Sequence, residues 1–358
     1  MQKRIAIVFA LILLLSLLCG CKDDDDPTID VSSTTNPALT TTESGGEAGP
    51  TGSAETETTT KDSGGKTKKT TAGGSTTAAT TKSNTYYAPQ VKTNSAPGTK
   101  VETFSDGTVL DYSNTSSGYV MLKYSGAYPN VRARVVTPKS TNQDYPIFST
   151  DYVALPLTSG NGTYKIMVLA NDGNSTSYAV TGQLEISVSI SSSNEPFLRP
   201  NVFVDYTSST ACVNKAAELT RGCDTELTKV EAIFNYVVNN FTYDKAKAST
   251  VAAKAYIPDL ASIWSAKSGI CFDYASTMAA MLRTQGIPTK VCAGQVKQSN
   301  GTVYHAWLSV YTKEKGWVDG IIQFDGSSWK FMDPTFASSG GNTLDWTKKY
   351  TYTAQYYY

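Results

Sequence analysis

The 358-residue chain reads as three regions in series: an unstructured tether, an all-β sandwich, and an α+β domain in which a helix packs against an antiparallel sheet. Three patterns predict this. Residues 22 to about 85 are Thr, Ser, Gly and Lys with few large apolar side chains; residues 97–193 alternate apolar and polar with a period of two; beyond Ala211 the apolar spacing turns helical, then returns to strands near Thr289. Charge points to no nucleic-acid partner, because 31 Lys and Arg balance 31 Asp and Glu and no basic cluster interleaves with aromatics.

At the N-terminus, Lys3 and Arg4 precede an apolar run from Ile5 to Leu18, too short to span a bilayer comfortably, and Leu18-Cys19-Gly20-Cys21 comes directly after it. This has the form of a secretory signal (residues 1–20) ending in a bacterial lipobox. Lipid is therefore expected on Cys21, anchoring the chain to the outer face of a bacterial membrane, at the cell surface. A plain secretory signal is the alternative. Residues 21–85 lack the apolar surface that would offset the entropy of ordering and read as a disordered tether. As a coil of about 60 residues they would span roughly 40–46 Å. Asp23–Asp26 read as a solvated acidic patch, since no glycine or distal glutamate stands beyond them at EF-hand spacing.

In residues 97–193, Leu184, Ile186, Val188 and Ile190 interleave with Glu185, Ser187 and Ser189, and Val131–Val136 and Thr163–Ala170 give further strands. Turns fall at Ser159-Gly160-Asn161-Gly162 and Asp172-Gly173-Asn174. About a hundred residues of short strands and polar turns suggest an immunoglobulin-like sandwich. It reads as a spacer that orients the C-terminal domain, with adhesion as the other role.

A linker over residues 194–205 leads into the α+β domain, residues 205–358. Helices are expected at Ala211–Leu219 and Leu227–Asn240, the second behind a Thr228-x-x-Glu231 capping box with Val230, Ile233, Phe234, Val237 and Val238 as a core stripe. Cys271–Gln285 reads as a third helix, with Ala275, Met278, Ala279 and Leu282 spaced by three and four and Gly286-Ile287-Pro288 closing it. Strands are expected at Thr289–Val296, Val303–Tyr311, Gly316–Asp319 and Ser328–Met332, the last delivering Asp333.

The chain has one histidine, His305, downstream of Cys271 and upstream of Asp333. A thiol needs a base to act as a nucleophile near neutral pH, imidazole suits that task, and a third polar group must hold the ring in one tautomer. Cys271 falls in the first turn of its helix, where free amides and the positive end of the macrodipole stabilise a thiolate. Asp319 and Asp325 compete with Asp333 for the third role, each with a simpler reading as a turn or strand-end residue. Asp273 is expected to bond first-turn amides. The oxyanion would be met by the Cys271 amide and a second donor, for which Tyr243 and Trp264 are candidates if they are not core aromatics.

Gly269-Ile270-Cys271-Phe272-Asp273-Tyr274-Ala275, His305-Ala306-Trp307 and Asp333-Pro334-Thr335 together resemble the transglutaminase-like superfamily, and in particular clostridial surface lipoproteins that carry such a domain. The resemblance spans about Leu227 to Phe336. It implies a papain-like α+β catalytic core with Cys271 as nucleophile, His305 as general base and then acid, and Asp333 as orienter. The expected activity is cysteine-dependent acyl transfer from an amide: a peptidase or amidase if water accepts the acyl group, a transglutaminase if a lysine amine does. The substrate class is a protein or peptide, with cell-wall peptide one form of it. A non-catalytic binding or scaffold module that keeps the fold is the alternative. No cofactor is expected, and one His with scattered Cys does not form a zinc site. Among the remaining cysteines, Cys212 and Cys223 are an open candidate for a disulfide, while Cys292, among apolar strand residues, reads as a buried thiol.

Overall fold

The computed structural model describes residues 29–30, 84–174, 177–251, 255–298, 301–319, 322–324, 329–331 and 351–358. The signal segment, Cys21, Asp325 and Asp333 lie outside the described residues. Within the stretch read as a tether, β1 (Ile29–Asp30) pairs with a strand at the far end of the chain, Ile29 opposite Ala354.

Two four-stranded antiparallel sheets come next, built from β2 (Val101–Thr103), β3 (Val109–Asp111), β4 (Tyr119–Lys123), β5 (Asn130–Val136), β6 (Asn142–Ile147), β7 (Val153–Pro156), β8 (Gly162–Asn171) and β9 (Ala179–Val188). Their orders are β2-β3-β4-β7 and β6-β5-β8-β9. The period-two pattern does what it implies. In β5, Val131, Ala133 and Val135 are buried while Arg132 and Arg134 face the other way.

The second region begins with α1 (Ala211–Leu219), α2 (Glu226–Asn240), β10 (Thr242–Tyr243), α3 (Lys245–Val251), α4 (Leu260–Ala266), β11 (Ser268–Gly269) and α5 (Cys271–Arg283). Strands β12 (Thr289–Gln298), β13 (Gly301–Thr312), β14 (Gly316–Asp319), β15 (Ile322–Phe324), β16 (Trp329–Phe331) and β17 (Thr351–Tyr357) complete it. The main sheet has the order β1-β17-β12-β13-β14. Strand β17 supplies a Tyr-rich partner for β12 that the motifs do not announce.

Two local expectations are corrected. The capping box of α2 sits one turn earlier than Thr228-x-x-Glu231: extended Thr225 is the cap, its hydroxyl accepting from the Thr228 amide at 3.1 Å while Thr228 Oγ1 accepts from the Thr225 amide at 3.3 Å. Helix α5 is not amphipathic. Every residue from Asp273 to Arg283 is buried, because small side chains such as Ala275, Ser276, Ala279 and Ala280 let α1, α2 and α4 approach on one side and β12 and β13 on another.

The two sheets and the second region share one apolar core. Phe203 is the hinge pin of this continuity. Its ring lies 5.5 Å from Tyr145 of β6, 5.1 Å from Phe272 of α5 and 4.6 Å from Tyr358, so three parts of the chain meet on one side chain. Each such aromatic pair adds about 0.5–1.5 kcal/mol beyond its buried area. Ahead of the two sheets, the chain is tied to α5's end and to the linker: the Gln90 backbone amide donates to Thr284 O at 2.6 Å, and Lys92 pairs with Glu195 at 2.7 Å.

Candidate active site

The turn before Cys271 is fixed by three local devices. Strands β10 and β11 pair in parallel, Thr242 with Ser268 and Tyr243 with Gly269, and the amides of Thr242 and Asp244 donate to Lys267 O and Gly269 O at 2.9 Å each. Gly269 is required by space: a Cβ there would stand 2.6 Å from Asp273 Cβ. The fully buried Asp273 carboxylate then collects the Ile270 amide at 2.9 Å and Lys247 Nζ at 2.5 Å on one oxygen, and the Tyr256 hydroxyl at 2.5 Å on the other. Asp273 therefore reaches the amide just before the helix rather than the first-turn amides, and fastens α3 and Tyr256 to the start of α5. Burial, followed by the bond to Asp273, pushes the Tyr256 phenol well above its ordinary range.

Cys271 is half-buried and opens on a cavity of about 730 Å3, within the roughly 300–1,000 Å3 common for ligand sites. His305, 6% exposed, borders the same cavity. Along β13, Ala306, Leu308 and Val310 join the core that holds α5, whereas Trp307 packs with Cys292, Val296 and Tyr352 on the other side of the sheet. The His305 ring keeps company with Trp307, 6.4 Å away and nearly parallel, and with Tyr352 at 6.4 Å. Cys271 and His305 thus share the cavity as their common border.

Tyr304, one residue earlier, has the opposite parity and stands on the Cys271 side. It is 59% exposed overall, yet burial raises its phenol, with Tyr356 and Cys271 adding to the effect. The motif hides this residue, although alternation on a strand containing His305 gives the signal. Of the two oxyanion candidates, Tyr243 borders the cavity. Trp264 does not: it stacks on Tyr236 at 5.7 Å with the Lys267 ammonium 3.0 Å from its ring centre, and is a core aromatic.

Asp319, the candidate for the third role that lies among the described residues, is engaged elsewhere on the strand. It pairs with Ser309, accepts from the Ser309 hydroxyl at 2.7 Å, and stands four residues along the strand from His305, roughly 13 Å at 3.3 Å per residue. Cys212 and Cys223 are both free thiols, and the Cys223 thiol donates to Leu219 O at 3.8 Å. Burial pushes Cys212 up to about 12 and raises Cys292, 1% exposed, further still. Part of the cavity lining is not legible from the motifs: Arg132, Asp144 and Pro146 come from β5 and β6, Phe203 from the linker and Tyr358 from beyond β17.

The transglutaminase-like superfamily model matches residues 213–319, a span that contains Cys271 and His305 and stops short of Asp333. This segment belongs to the transglutaminase-like superfamily. An uncharacterized Bacillus subtilis protein, YebA, is 30% identical over 119 residues, covering 29% of this chain and 16% of its own length. Among solved structures, the periplasmic domain of TgpA from Pseudomonas aeruginosa matches 62% of this chain and 88% of that one at 16% identity and a TM-score of 0.32. Red sea bream transglutaminase matches 61% of this chain and 48% of that one at 12% identity and a TM-score of 0.25.

Proposed function

We propose that the chain is a lipid-anchored cell-surface enzyme that performs cysteine-dependent acyl transfer on amide bonds of proteins or peptides, displayed with an immunoglobulin-like sandwich. The observation that carries this reading is that Cys271, at the start of a buried helix, and the chain's single histidine border one cavity. In the reaction, the Cys271 thiolate attacks the amide carbonyl, the C–N bond breaks, and His305 gives the leaving amine the proton it took from the thiol. A thioester on Cys271 results. Water or a primary amine, deprotonated by His305, then displaces the thiolate and restores the enzyme. The Cys271 amide faces the developing oxyanion, and Tyr243 is the candidate second donor. Asp333 holds the imidazole.

The test is incubation with glutamine-containing peptides, with and without a primary amine, and mass spectrometry of the products. Cleavage marks a peptidase, ammonia loss with water uptake marks an amidase, and an amine adduct marks a transglutaminase. Peptides left unchanged by both wild type and Cys271→Ala would leave the binding or scaffold module as the function.

A further inference from the structure

The lining of the cavity is mostly aromatic and aliphatic, and its charges come from the sandwich. Strands β5 and β6 turn Arg132, Arg134 and Asp144 outward from the sandwich core. Asp144 is engaged on both oxygens, which accept from Arg134 Nε at 2.7 Å and Nη2 at 2.9 Å in a two-pronged pair. Arg132 differs. It borders the cavity, its guanidinium lies over the Tyr178 ring at 4.5 Å, and among the described residues no carboxylate pairs with it. Stacking on a ring leaves the planar fork of N–H donors free at its edge. One guanidinium without a carboxylate partner among the described residues, on a side chain that borders an apolar, aromatic-lined space, is electrostatically complementary to a carboxylate.

We propose that β5 and β6 form an anionic subsite of the cavity, in which Arg132 binds a carboxylate of the peptide substrate. This rests on the acyl-transfer reading of Cys271, and it gives the sandwich a role in choosing substrate. The carboxylate is either an acidic side chain or a free C-terminus, and both present the same planar pair of oxygens to the guanidinium.

The test uses three bromoacetyl dipeptides that alkylate thiols by forming an S–C bond and releasing bromide: bromoacetyl-Ala-Glu amide, bromoacetyl-Ala-Gln amide and bromoacetyl-Ala-Ala with a free C-terminus. Rates at Cys271 are measured by intact mass and peptide mapping. In wild type, a carboxylate-bearing probe should react about tenfold faster than the Gln amide, the size expected of one charge-assisted hydrogen bond. The faster of the two identifies the source. Arg132→Gln should erase the preference and Arg132→Lys should keep part of it, while the rate with neutral iodoacetamide stays the same in all three proteins and certifies an intact thiol site. Equal rates for the three probes in wild type, or a preference that survives Arg132→Gln, would overturn the proposal. Alkylation reads the subsite whether or not the protein turns over a peptide. A missing acyl-transfer activity therefore counts against the enzymatic reading alone.

Discussion

Helix α5 begins at Cys271, half-buried beside a cavity, and ends at Arg283, which has no accessible surface at all. At the first end, polar groups are paired around the thiol but not with it: Asp273 takes Ile270, Lys247 and Tyr256 and leaves Cys271 facing open space. At the other end, Arg283 donates to Thr289 O at 3.0 and 2.8 Å, to Arg199 O at 2.7 Å and to Tyr358 O at 2.7 Å. Burial pulls its guanidinium down to about 10, which still leaves it charged at neutral pH. One end leaves a thiol at the border of open space. The other closes the linker, β12 and Tyr358 onto the helix, with four of its five N–H donors engaged.

Substitutions at the two ends should therefore separate stability from activity. The largest stability effect is expected from Arg283→Ala, which strands three buried carbonyls and should cost about 3–5 kcal/mol. Urea unfolding measures it, and a loss under about 1 kcal/mol would mean that water or local rearrangement satisfies those carbonyls. Gly269→Ala comes next. The added methyl would displace the Asp273 carboxylate, for an expected cost of about 1–3 kcal/mol, and acyl transfer should fall with it because the turn before Cys271 loosens. If Gly269→Ala unfolds like wild type and retains full activity, the Gly269–Asp273 contact does not hold the site. Cys271→Ala should be the mildest for stability, within about 1 kcal/mol of wild type by urea unfolding, because a half-buried thiol at an open helix end has little packing to lose. A large destabilisation there would make Cys271 a core residue and blur the distinction between the ends.

The start of α5 is legible in the sequence because its determinants are local. Gly269, Cys271 and Asp273 sit within five residues, and helix-start rules apply to them directly. His305 is legible as the only imidazole available. The end of α5 is not, because Arg283 is held by backbone carbonyls at positions 199, 289 and 358, and a carbonyl carries no sequence signature. Arg132 is hidden for a related reason. Period-two alternation places it on the outward face of a strand, and nothing in that pattern says what the outward face meets. Residues 97–193 read as a spacer since their strands explain themselves; Phe203, in the linker, packs against both β6 and α5. Trp264 is open between two roles that only packing separates, and its stack with Tyr236 puts it in the core.

The central claim is that the open end of α5 carries a nucleophile, and the most direct measurement is peptide mapping after rapid acid quenching of the protein with a glutamine-containing peptide. A thioester on Cys271, absent from Cys271→Ala and failing to accumulate in His305→Ala, is the expected result. Turnover that proceeds unchanged in Cys271→Ala, or an acyl adduct mapped to Cys223 or Cys292, would contradict it.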